Sequence, residues 1–74
     1  MFIVIEIQTT DNCATLVNTF TDRTQAESKY HLILASAAIS AIPKHGAVML
    51  TEEGERLKSE CYYHLVEEPE GNEI

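Results

Sequence analysis

Phe2-Ile3-Val4-Ile5-Glu6-Ile7-Gln8, closed by the polar cluster Thr9-Thr10-Asp11-Asn12, is the stretch that decides the fold. Isoleucine at every second position is the period-two pattern of a β-strand, and β-branched side chains suit its pleated surface. Phe2 and Val4 make the opposite face partly apolar, so this strand is expected at the centre of a sheet, or with its second face against another surface. Asp and Asn hydrogen-bond to their own backbone and tolerate positive φ, which makes 9–12 a turn. Residues 14–20 resume as a strand, and the two pair as an antiparallel hairpin.

Helix-start chemistry follows the hairpin. Asp22 can cap the free amides of the next turn, and Gln25, three residues on, completes a box-like arrangement. The Ala-rich stretch that follows predicts a helix from about Arg23 to about Ala41, with Pro43 and Gly46 stopping its propagation. At 100° per residue, Ala26, Tyr30, Ile33, Leu34, Ala37 and Ala41 gather into the stripe that should cover the sheet. Leu32, Ala35 and Ile39 gather on nearly the opposite side, beside the small Ser28 and Ser36. A helix in a two-layer domain needs only one apolar stripe, so the second one, Leu32, Ala35, Ser36 and Ile39, is expected to mediate self-association.

Gly46-Ala-Val-Met-Leu-Thr51 reads as a third strand, and Glu52-Glu53-Gly54-Glu55 as a turn in which glycine supplies the unusual φ. Over 56–65, Leu57, Ser59, Cys61, Tyr63 and Leu65 alternate with Arg56, Lys58, Glu60, Tyr62 and His64, the pattern of a half-exposed strand paired back onto 46–51. Leu57, Cys61 and Leu65 are also spaced by four, so a helix competes; the alternation favours the strand. The expected fold class is α+β, in the order ββαββ, with a single helix packed across one face of one antiparallel sheet. One domain should span 1–66, and 67–74 should form an acidic flexible tail.

Length and charge restrict the function classes. Seventy-four residues bury one thin core, and extra burial through self-association is expected for so small a chain. The net charge is −7 and is unevenly placed. Residues 1–51 hold four acids against three bases, while 52–74 hold eight acids against two. Such a C-terminal third repels phosphate backbones, which argues against direct nucleic-acid binding and for a partner with a basic surface. Glu52, Glu53, Glu55 and Glu60, with Tyr62 as an exposed anchor, are the candidate residues for that contact. Cys13 and Cys61 lie far apart without CxxC spacing or a secretory leader, the usage of a cytoplasmic protein with free thiols. No run approaches the roughly 20 apolar residues of a membrane span.

Little in the sequence suggests catalysis. The three glycines are scattered and none opens the helix, so phosphate-loop and dinucleotide motifs are absent. His31, His45, His64, Cys13 and Cys61 occupy five separate places, without metal-ligand spacing, and no cofactor is expected. Glu27, Ser28 and His31 could form a catalytic trio in name, but an exposed helical turn offers neither a pocket nor oxyanion donors. The strongest small-molecule candidate is Arg23, Lys29 and His31 near the positive helix N-terminus, where an anionic ligand such as a nucleotide would bind. An acidic DNA mimic is a further alternative.

The opening Met-Phe-Ile-Val-Ile-Glu-Ile-Gln, the segment Ala26-Glu27-Ser28-Lys29-Tyr30-His31, and Leu50-Thr51-Glu52-Glu53-Gly54 together resemble a family of short proteins from gut Firmicutes and their phages or mobile elements. The resemblance spans residues 1–65 and names no reaction. It implies a setting in which small acidic proteins act by binding a host protein. The expected function is therefore that of a non-enzymatic, self-associating interaction module.

Overall fold

The computed structural model describes residues 1–64; the expected tail at 67–74 and the domain end at 66 lie outside the described residues. Five elements follow one another: β1 (Phe2–Thr9), β2 (Cys13–Phe20), α1 (Arg23–Ile39), β3 (Lys44–Thr51) and β4 (Arg56–Tyr63). The fold is the expected α+β arrangement, with four strands in one antiparallel sheet of order β2-β1-β3-β4 and α1 packed across one face. Isoleucine-rich β1 is central, hydrogen-bonded to β2 on one side and β3 on the other. β2 and β3 both run antiparallel to β1, and α1 carries the chain from one to the other across it.

Asp22 caps α1 as its sequence position implies, its Oδ1 accepting from the Thr24 amide at 2.9 Å. The helix ends at Ile39 rather than near Ala41, because Ser40 leaves helical geometry and both its amide and its hydroxyl donate to the Ala37 carbonyl. Ala26, Tyr30, Ile33 and Ala37 are buried along the helix, four of the six positions of the expected stripe. Leu34 packs at the core's margin, and Ala41 is exposed beyond the helix end. Val4, Ala47 and Met49 meet this stripe from the sheet, flanked by Phe2, Phe20 and Leu57.

The β1–β3 register puts Val4 opposite Met49 and Glu6 opposite Ala47, so Phe2, Val4, Glu6 and Gln8 lie on the helix side. Ile3, Ile5 and Ile7 therefore line the other face, which no element of the described chain covers. β4 departs from simple alternation. Met49 pairs with Lys58 but Leu50 pairs with Arg56, so Leu57 is the extra residue of a β-bulge. The bulge lets Leu57 reach the core and keeps Lys58, Glu60 and Tyr62 on the helix side, while Ser59, Cys61 and Tyr63 fall on the open face.

Candidate functional site

A part-buried polar chain centred on His45 joins β1 and β3 to the end of α1. His45, at 3% exposure, sits opposite Gln8 and points along the helix side of the sheet. Its Nε2 lies 2.6 Å from Glu6 Oε2 and its Nδ1 lies 2.9 Å from Ser40 Oγ. Gln8 Nε2 donates to the same Glu6 oxygen at 2.9 Å. Burial by itself would raise the Glu6 carboxyl, but the hydrogen bonds from Gln8 and His45, with the charges of His45 and Lys29, outweigh it and hold the group below its ordinary value. Beside this chain, His64 Nε2 donates to the Ala37 carbonyl at 2.7 Å, and the His64 amide donates to the Pro43 carbonyl.

Serine, histidine and glutamate in line invite comparison with a nucleophilic relay, but Ser40 is also tied to the backbone at the end of the helix. An activated serine directs its proton at an imidazole nitrogen that carries none. Here the Ser40 hydroxyl also bonds the backbone, donating to the Ala37 carbonyl at 3.3 Å and accepting from the Ile42 amide at 3.4 Å. The cluster clamps the C-terminal end of α1 to β1 and β3. It was not visible as a unit in the sequence, where Glu6 and His45 stand 39 positions apart. A strand acid flanked by apolar residues was the one signal that a distant partner had to exist.

Two apolar surfaces stay uncovered, on opposite sides of the molecule. Leu32 and Ile39 on α1 are 63% and 88% exposed, and Ala35 and Ser36 between them are exposed as well. On the open face of the sheet, Ile3, Ile5, Ile7, Val48 and Leu50 are half-buried, and Val17 on β2 is 60% exposed. Between β1, β3 and β4 this face dips into a depression of about 440 Å³, lined by Ile7, Lys44, Gly46, Val48, Cys61 and Tyr63. Gly46 has no side chain to fill it, and none would fit, since a Cβ there would stand 2.7 Å from Cys61 Cα and closer still to the Glu60 carbonyl oxygen.

The acidic candidates divide. Glu53 and Glu55 are exposed in the β3–β4 turn, and Glu52 beside them lies 2.6 Å from the Met1 ammonium, which holds its carboxyl below the usual range. Glu60 is exposed on the helix side of β4, four residues beyond the strand's start and so roughly 13 Å along it. The exposed tyrosine is not Tyr62, which is half-buried and stacked 6.5 Å from His64, but Tyr63, 68% exposed on the open face. The bulge at Leu57 is the reason, because it inverts which residues of β4 face the helix.

Arg23, Lys29 and His31 do not converge. Arg23 Nε donates to Glu27 Oε2 at 3.1 Å, and that hydrogen bond, with the charge of Lys58, lowers the Glu27 carboxyl. Lys29 and His31 are two residues apart, which on a helix separates them by about 200°. Among the described residues, no three His, Cys, Asp or Glu side chains gather as a metal site, and no helix is long and apolar enough to cross a membrane. Compared with protein-family models, curated proteins and solved structures, the chain matches none.

Proposed function

We propose that this chain is a non-enzymatic, cytoplasmic interaction module that self-associates and presents its acidic β3–β4 hairpin to a protein with a basic surface. The supporting observation is that a two-layer domain of this size leaves apolar side chains uncovered on both its helix and its sheet. A contiguous aliphatic face left partly exposed, here Ile3, Ile5, Ile7, Val17, Val48 and Leu50, marks a contact site, since solvent exposure of such a surface is unfavourable and invites association. Glu53 and Glu55, exposed at the hairpin tip, give the second contact its sign. Two exposed free thiols, Cys13 and Cys61, agree with a reducing compartment. The resemblance to short proteins of Firmicutes phages and mobile elements would make that partner a host protein.

Mass by light scattering across a concentration series tests this function. An assembly larger than the 8.3 kDa chain at micromolar concentration is expected. A particle of single-chain mass at every concentration would remove self-association from the proposal.

A further inference from the structure

We infer that a second copy of this chain covers the open face of the sheet, the two sheets stacking face to face with their helices outermost. This rests on the reading of the chain as self-associating and assigns the surface, in place of the helical stripe formed by Leu32, Ala35, Ser36 and Ile39.

Area comes first. Four strands about 4.8 Å apart and eight residues long at about 3.3 Å each make a plane of roughly 500 Å². With the relief of its side chains, such a face reaches the scale of the roughly 800 Å² that each partner of a standard stable complex buries. The helical stripe offers two large apolar side chains within one heptad, far short of that scale.

Charge decides which occupant fits. The described residues hold eight carboxylates, at Glu6, Asp11, Asp22, Glu27, Glu52, Glu53, Glu55 and Glu60. Every one lies in a turn, on the helix or on the helix side of the sheet. Among the described residues the open face bears no acidic side chain, and its two bases, Lys44 and Arg56, stand at the starts of β3 and β4. Two copies that each carry a net charge of −7 approach most readily where neither presents a carboxylate, a condition that the described residues of this face satisfy. A basic foreign protein would be drawn instead to the acidic helix side and hairpin. An acid-free patch that is aliphatic at its centre can also meet its own copy, as an isologous contact about a twofold axis requires. Stacked sheets separate by about 10 Å, so side chains interdigitate, and the depression over Gly46 gives a large side chain of the second copy a place to enter.

Val17→Glu, Ile5→Glu and Ile39→Asp, weighed by light scattering beside the wild type and checked by circular dichroism, test the assignment. Val17 is exposed in the single chain, so its replacement leaves the monomer fold intact even where Ile5→Glu does not. The wild type and Ile39→Asp are expected near twice the 8.3 kDa chain mass, and Val17→Glu near the chain mass itself. Both native thiols lie on this face, Cys61 opposite Gly46 and Cys13 opposite Thr9, so alkylation should be slower in the wild type than in Val17→Glu. A wild type that splits on Ile39→Asp and survives Val17→Glu would overturn the sheet assignment while leaving self-association standing. A strictly monomeric wild type would overturn both.

Discussion

Glu6 carries more of the structure than its place in an isoleucine-rich strand suggests. It faces the helix, where a carboxylate is costly unless it is paired, and His45 and Gln8 supply the pairing. Replacing it with glutamine keeps the shape and removes the charge, at a cost of about 1.5–3 kcal/mol near neutral pH, the range for hydrogen bonds to ionised groups. Because the folded-state carboxyl lies below its ordinary value of 4.5, its contribution is fully present above that pH and is lost as pH falls through the folded value. Urea unfolding of wild type and Glu6→Gln at one protein concentration should therefore differ most near pH 6–7 and converge in acid. A constant gap down to pH 3 would mean that shape, not charge, is what Glu6 supplies. The sequence showed each residue of this cluster but not the cluster, because a pairing across 39 positions leaves no local periodicity.

Elements were legible where a local rule governs them. The Asp22 cap, the buried stripe from Ala26 to Ala37 and the β1–β2 hairpin follow from spacing alone, and the structure has all three. What spacing could not supply was the side of β1 that the helix would cover, since both faces hold aliphatic residues. In the structure the helix covers the side on which Glu6, Gln8 and His45 satisfy one another. The facing of β4 was equally hidden. A bulge adds one residue without altering the alternation of types, so Tyr62 and Tyr63 exchanged roles. Gly46 belongs to this scale too, as the point where β4 crowds β3. Gly46→Ala would press a methyl group against the backbone of Glu60 and Cys61, which cannot yield as a flexible side chain would. Overpacking of this kind costs about 1–3 kcal/mol. A lowered urea midpoint, with faster amide exchange in β4 than in β1, is the expected signature. Uniform exchange across all four strands would contradict a local displacement.

Stability and association are one property in the dimer inferred for the whole molecule. Unfolding coupled to dissociation makes the melting temperature rise with concentration. With an unfolding entropy of roughly 2.1 cal/mol/K per residue, two 74-residue chains should gain about 5 °C for each tenfold increase in concentration. Val17→Glu should show no such slope. Salt separates the surfaces further. Two chains of net charge −7 repel while their acid-free faces attract, and the Debye length falls from about 30 Å at 0.01 M to about 8 Å at 0.15 M. Added salt screens the repulsion and leaves apolar contact intact, so the dissociation constant should fall over that range. An interface between the acidic hairpin of one copy and the few bases of another would behave oppositely, because the same screening weakens its attraction. The sign of that dependence, measured by sedimentation at two ionic strengths, thus distinguishes a contact made by Ile5 and Val17 from one made by Glu53 and Glu55.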